Sequence, residues 1–372
     1  MVVNEIKTKV MCLGFQDPPK LLFNGINIKI VESYKYLGNI LSLNNSPVGN
    51  IFPNNLEHLT TQGRRALFSM RSKLKNACPT PPRISLHLFN ATVKPILCYG
   101  SDIWGIYAPY QDTVDTFHRK FLKQTLSVKT STHNAITYGE VGQFPISIDL
   151  LSSAFIYYHR LLHMPDKKLV KYVFNEMLRL HNVGFTSWVT AVTECAVKCN
   201  IDFNTNIGNF KLYVKRSLQS SFLQSWSSDL LSPDRFPILR LYRTFKHDFS
   251  FETYLSCVKI DKHLKALARF RSNSHHLVVE TGRWAGLPIS QRICQACNAL
   301  DDEIHLVCHC KLYSVPRSVL LRNLSDMLGP KFENFKTLLF RNLMSTKIPE
   351  VIAVFASFVF NSFKIKDKFI EG

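Results

Sequence analysis

The sequence predicts a mainly α-helical protein with a small β piece at its N-terminal end and a compact metal-stapled module near its C-terminal end. Three observations predict this class. Asn24-Gly25, the strongest short hairpin signal, sits between two apolar runs near the start. From Leu56 onward, apolar residues return every three or four positions, the period of a helix. Cys294-Gln-Ala-Cys297 is followed by His305 and Cys310, a spacing that metal ligands use.

The elements follow in order. Lys7 to Phe15 is a short mixed run, and Leu21 to Ile30 carries the hairpin signal. Tyr34 to Leu41 reads as one further strand, ending in the polar turn Asn44-Asn45-Ser46-Pro47. Then the period changes. Leu56, Leu59, Ala66, Leu67, Met70 and Leu74 share one helical face, ringed by Arg64, Arg65, Arg71, Lys73 and Lys75, until Pro79-Thr80-Pro81-Pro82 stops the helix. Ile84 to Trp104 reads as a second helix, bent near Pro95. Val114, Phe117, Phe121, Leu122 and Leu126 mark a third, with Arg119, Lys120 and Lys123 interleaved, and Leu150 to His163 a fourth. Residues 164–230 are weakly patterned, with helical pieces such as Leu169 to His181. Leu239 to Arg271 and Arg317 to Ile370 read as further helices flanking the cysteine segment.

The chain has 372 residues, enough for two or three domains of about 100–200 residues each. Hydrophobic residues make up 46%, so cores can form. The 46 Lys+Arg outnumber the 27 Asp+Glu, giving a formal net charge of +19. Such an excess favours a polyanionic partner, either nucleic acid through phosphate neutralisation or an anionic membrane. Val351 to Phe363 is the most apolar stretch, and it is too short to cross about 30 Å of hydrocarbon. It reads as a buried helix with Pro349 near its first turn. Charge alone does not separate the two; taken with the Cys/His pattern it makes RNA or DNA, and not a membrane, the expected partner.

The first nine residues lack the continuous apolar core of a secretion signal, so an intracellular, reducing setting is expected. In that setting clustered cysteines read as metal ligands, and scattered ones (Cys12, Cys78, Cys98, Cys195, Cys199, Cys257) as small buried hydrophobes. Cys294, Cys297, His305 and a further cysteine supply four soft donors, the set that tetrahedral zinc prefers. With four protein donors no coordination position stays open, so the expected zinc is structural. Spacing leaves two choices for the fourth donor. A helix over 305–309 would put Cys308 beside His305; a turn after His305 would fold back Cys310. Nearby Arg271, Arg283 and Trp284 offer phosphate contacts and a stacking surface, or else Trp284 packs beneath the metal loop.

Several separated segments resemble the C-terminal part of reverse transcriptases from non-LTR (LINE-type) retrotransposons. Asn4 to Met11 resembles the segment just beyond the family's catalytic aspartates, and Tyr34-Lys-Tyr-Leu-Gly38 its primer grip. Pro95 to Trp104 resembles the thumb helix; Phe121 to Val128, with Thr132, Asn134, Gly139-Glu140 and Pro145, resembles the segment after it. Arg271, His276, Glu280-Thr-Gly-Arg283, the cysteines, Glu303, His305, Tyr313 and Arg317 resemble the terminal knuckle. The resemblance implies five segments: a palm remnant and primer-grip strands (1–50), a helical thumb (51–165), a helical connection (166–265), a zinc-knuckle module (266–320) and C-terminal helices (321–372). It selects Cys310 over Cys308, although Lys311 stands where the family commonly has proline. It also places Lys7 near an incoming nucleotide, and Tyr36 and Gly38 along a primer. The family acts at chromosomal DNA, so the resemblance allows a nuclear location, although the sequence carries no dense basic targeting run.

Polymerases hold two divalent cations on paired aspartates, and the resemblance begins just downstream of that pair. The expectation is a truncated product that binds RNA or primer–template and does not polymerise alone. The alternatives are part of an active polymerase whose N-terminal portion lies elsewhere, or a helical scaffold with structural zinc and no ligand. Asp301-Asp302, inside the metal loop, reads as a solvated tip. There is no Gly-rich phosphate loop, Gly-x-Ser-x-Gly elbow or His-Glu-x-x-His motif, so no catalytic residue and no small-molecule substrate is expected.

Overall fold

The computed structural model describes residues 8–12, 20–42, 52–75, 80–204 and 208–371. Six short strands come first: β1 (Lys9–Val10), β2 (Leu22–Phe23), β3 (Ile26–Asn27), β4 (Lys29–Ile30), β5 (Ser33–Tyr36) and β6 (Asn39–Ser42). Helices make up most of the rest: α1 (Pro53–Lys75), α2 (Pro82–Leu88), α3 (Lys94–Leu97), α4 (Ser101–Trp104), α5 (Ala108–Leu126) and α6 (Asn134–Val141). Next are α7 (Ser147–Leu162), α8 (Leu169–Asn182), α9 (Trp188–Lys198), α10 (Phe210–Leu231), α11 (Tyr242–Phe245) and α12 (Tyr254–Cys257). The last six are α13 (Asp261–Arg271), α14 (Val278–Trp284), α15 (Ser314–Leu328), α16 (Phe332–Thr337), α17 (Leu339–Ser345) and α18 (Pro349–Glu371). The mainly helical class with N-terminal strands is as the sequence predicts.

The strands form three two-stranded pairs, β1 with β4 in parallel, β2 with β3 and β5 with β6 antiparallel. Asn24 and Gly25, both at positive φ, make the two-residue turn between β2 and β3 that their sequence signals. The single strand expected over Tyr34 to Leu41 is instead a second hairpin. Leu37 (φ +46°) and Gly38 (φ +91°) form its turn, and Tyr36 pairs with Asn39. Gly38 has a local reason to be glycine: a Cβ there would lie 2.9 Å from the Tyr99 ring, whose hydroxyl donates to the Leu37 carbonyl at 2.6 Å.

The continuous helix expected over Ile84 to Trp104 is also broken. A π turn over Phe89–Val93 separates α2 from α3, and left-handed Gly100 (φ +71°) separates α3 from α4. Pro95, in the first turn of α3, has no N–H to give and its ring crowds the preceding turn, so the backbone widens there.

The described chain resolves into two compact units, each built from non-contiguous stretches. The first takes residues up to 72, 89–115 and 146–219; the second takes 73–88, 116–145 and 220–372. The five segments implied by the resemblance do not map one to one onto these units. In the first unit, α4 and α7 pack together over Trp104, Leu150 and Phe155, and α8 and α9 pack against α7. In the second, α18 is the central element, with α12, α13 and α15 packed on it through Leu255, Leu267, Phe270, Leu320, Leu324 and Phe355. The expected buried helix at Val351 to Phe363 is this α18, begun by Pro349.

Arg271 ends α13 and is buried, which corrects its reading as a phosphate contact. Its guanidinium forks onto Glu140 of α6, Nε to Oε2 at 2.9 Å and Nη2 to Oε1 at 3.1 Å. It also meets Glu252 at 2.9 Å, donates to the Met344 carbonyl, and lies against the Phe245 and Tyr254 rings. Four of its five N–H groups are engaged inside the protein. Burial would raise the Glu140 carboxyl, but the Arg271 charge and hydrogen bonds outweigh it and hold it below the usual carboxylate range.

Arg271→Ala leaves Glu140 buried without its partner and is expected to cost about 3–5 kcal/mol in urea unfolding. In the intact protein the depressed Glu140 carboxyl contributes stability above the unfolded-chain value of about 4.3, lost as pH falls through its folded pKa. The acid limb of unfolding should therefore flatten in Arg271→Ala.

Candidate metal centre

A short turn presents the first two thiols. Ile293 and Leu300 form an antiparallel bridge, Cys294 N donates to Ala299 O at 2.7 Å, and Asn298 N donates to Cys294 O at 2.8 Å. Asn298 closes the turn in the left-handed region (φ +53°), which asparagine tolerates better than most residues.

A π turn over His305–His309 presents the other two donors. Cys310 N donates to His305 O at 2.7 Å, a hydrogen bond across five residues. This wide turn settles the choice that spacing leaves open. Cys310 joins the cluster, while Cys308 lies on another wall, half-buried, its thiol pushed up by burial. Two side chains fix the turn from outside. Asp302 Oδ1 accepts His305 N at 2.8 Å. Arg317 spans the far end, Nε to Val307 O at 2.7 Å and Nη2 to Leu306 O at 3.1 Å and Cys310 O at 2.7 Å.

The ligand atoms of Cys294, Cys297, His305 and Cys310 all lie within 4.8 Å of one another. Cys310 Sγ is 3.8 Å from Cys294 Sγ and 3.7 Å from Cys297 Sγ. For a metal–sulfur bond of about 2.3 Å, the edge of a tetrahedron is about 3.8 Å, so these separations fit ligands around one ion. They are far beyond the roughly 2.05 Å of a disulfide. His305 Nε2 is buried and makes no hydrogen bond, a cost that a metal bond would remove. Burial lowers the His305 imidazole pKa, favouring the neutral, ligating form. The Lys311 N–H, 3.3 Å from Cys297 Sγ, is the largest of the effects that lower that thiol, while burial pushes Cys310 up to about 12. A metal ion bound there would displace the Cys310 proton into solvent, because the ligand is the thiolate. With three thiols and an imidazole, the group can hold a metal ion.

The acids in the loop correct a second expectation. Asp301 is fully buried, not a solvated tip: Oδ2 accepts Val278 N at 2.7 Å and pairs with Lys366 of α18. Glu303 is fully buried too, bonded to Arg240 at 2.8 Å and to His275 Nε2 at 3.0 Å. Burial would raise its carboxyl, but His275 and Arg240 hold it at about 2. The roles of Asp301 and Glu303 escape the sequence reading because Lys366 and Arg240 lie 65 and 63 residues away and the acid-rich run looks solvated.

The remaining predicted contacts fall in different settings. Arg64, Arg65 and Lys73 are exposed on α1, and Lys120 is exposed on α5. Arg71 is exposed and has an interaction within the protein. Lys75 closes α1. Arg119 bonds Thr116 Oγ1 at 2.6 Å, and Lys123 donates to Thr130 O at 2.8 Å. Tyr36 is exposed beside Gly38 in the hairpin. Arg283 pairs with Glu280 at 2.8 Å and sits 4.8 Å from the Trp284 ring, which is 59% exposed and so does not pack beneath the metal loop. Lys7 lies outside the described residues. In comparison with known proteins, no family model and no curated protein matches this chain.

Purified protein should carry one equivalent of metal by elemental analysis. Cys297→Ser should lose it and Cys308→Ser should retain it; loss in both, or in Cys308→Ser alone, would reassign the ligands.

Proposed function

We propose that this chain binds polynucleotide, RNA or a primer–template duplex, with a structural zinc ion closing its C-terminal module and no catalytic centre among its described residues. This is the role expected of the C-terminal part of a non-LTR retrotransposon reverse transcriptase, the family its motifs resemble. The three thiols and imidazole suit zinc better than a hard cation, and four protein donors leave no position for substrate.

One observation carries the reading. Four acids are paired inside the protein, while several cations stand exposed without an ion pair. Glu140, Glu280, Asp301 and Glu303 are buried and paired with Arg271, Arg283, Lys366 and Arg240. Arg64, Arg65, Lys73 and Lys120 are exposed and make no ion pair among the described residues. A surface so biased attracts phosphate without reading bases. Trp284 with its Arg283 adds a face on which a base can stack. Among the described residues no single helix is long and apolar enough to cross a membrane; one pair that passes together, Leu339–Ser345 and Pro349–Phe369, is bent by 113°.

Fluorescence anisotropy with labelled single-stranded RNA and a primer–template duplex tests this. Binding should weaken steeply with salt and vary little with sequence. Arg64→Ala/Arg65→Ala should flatten the salt slope for single strands by about 1.4, and Trp284→Ala should cost about 1–3 kcal/mol per stacked base. No binding to either probe at low salt would sink the proposal, and magnesium-dependent nucleotide incorporation by the chain alone would sink its non-catalytic part.

A further inference from the structure

Behind the metal loop, in the second unit, is a cavity of about 830 Å³. Arg243, His247, His309, Arg317, Lys336 and Arg341 line it, and no Asp or Glu does. None of these six stands among the phosphate contacts that the sequence suggests. Two of the guanidiniums are held in place by the protein's own backbone. Arg243 donates from Nε to Leu239 O at 3.1 Å and from Nη2 to Phe236 O at 2.8 Å, and Arg317 is fixed to the π turn in the same way. Their Nη1 groups make no hydrogen bond among the described residues, so oriented donors remain. Lys336 and Arg341 stand exposed at the rim without an ion pair among the described residues. Ile304, 40% exposed, and Leu338, 56% exposed, supply an apolar ledge beside the charges.

An acid-free cavity with fixed guanidiniums, exposed rim cations and an apolar ledge suits a ligand that is anionic and aromatic at once. We infer that this cavity receives a segment of single-stranded polynucleotide, its phosphates on Arg243, Lys336 and Arg341 and a base against Ile304 and Leu338. The inference rests on the polynucleotide-binding reading above and names a place of contact. A duplex keeps its bases stacked inside the helix and cannot offer one to a cavity of this size.

The test compares Lys336→Glu/Arg341→Glu with Lys211→Glu/Arg216→Glu, an equal charge change at exposed residues of the other unit. The probe is a labelled single-stranded oligoribonucleotide of mixed sequence, with unlabelled duplex as competitor. Metal content and thermal unfolding are checked for both variants. The cavity variant should bind roughly tenfold more weakly than the control, with a salt slope about 1.4 smaller than wild type, two phosphates at about 0.7 each. The duplex should compete poorly. If both variants lose affinity equally, only net charge matters and the inference fails while general polynucleotide binding stands. Equal competition by duplex would likewise overturn the single-strand assignment. If wild-type protein binds no polynucleotide at low salt, the wider reading fails and takes this one with it.

Discussion

The second unit depends on a buried charge that must be fully satisfied. A guanidinium removed from water costs several kcal/mol unless every face finds a partner. Arg271 meets that demand by drawing in four separate stretches of chain: Glu140 from α6, Glu252 from the loop before α12, the Met344 carbonyl from α17, and the Phe245 and Tyr254 rings. Neighbouring geometry serves the same closure. A Cβ on Gly139 would lie 2.7 Å from the Tyr242 hydroxyl and 3.0 Å from the Trp226 ring, so only glycine lets α6 bring Glu140 this close. An antiparallel bridge between Val141 and Phe251 and the hydrogen bond from Glu252 N to Glu140 O tie the backbones beside the fork. A buried pair of this kind is weak evidence for stability relative to an apolar core, yet removing one partner is costly. It therefore acts as a constraint on register: α6 and α13 cannot slide without stranding a charge.

From that fork a polar line runs toward the metal loop. Ser274 Oγ accepts Lys129 N at 2.7 Å, and Lys129 Nζ reaches the His275 carbonyl at 3.2 Å. His275 meets Glu303, and Glu303 meets Arg240. Two residues before Glu303, Asp301 anchors to Lys366 on α18. The metal loop is too small to bury a core of its own, so a metal ion can close it from inside while these ion pairs hold it from outside. Arg317 completes the arrangement by gathering three carbonyls at the end of the π turn, the groups that helix ends leave unsatisfied.

What the sequence discloses here is what is local. The Cys-x-x-Cys spacing, the Asn24-Gly25 turn and the helical period over α1, α5 and α7 each depend on residues within one or two turns of each other. What it conceals is pairing at a distance. Arg271 looks like a surface cation until Glu140, 131 residues away, is seen beside it. Asp301-Asp302 looks like a solvated tip because Lys366, the partner of Asp301, lies 65 residues off, and Arg240 lies 63 residues from Glu303. Leu37-Gly38 hides a turn inside an apolar run, since glycine there answers to the Tyr99 ring rather than to a neighbour. The π turn could not be read from spacing alone, and it decides between Cys308 and Cys310. The helix α10 is similarly faint, its apolar residues spread around the axis without one clear stripe.

These internal pairs change the meaning of the net charge. An ion pair largely cancels its own charge, so the four inward acids and their partners add little to the field at the surface. Most of the excess of cations then falls on groups outside these pairs. A protein that needed cations only for solubility would gain as much from interspersed acids. Here four acids serve packing, and the cations at Arg64, Arg65 and Lys120 on helices and at Lys336 and Arg341 on a cavity rim face solvent without an ion pair among the described residues.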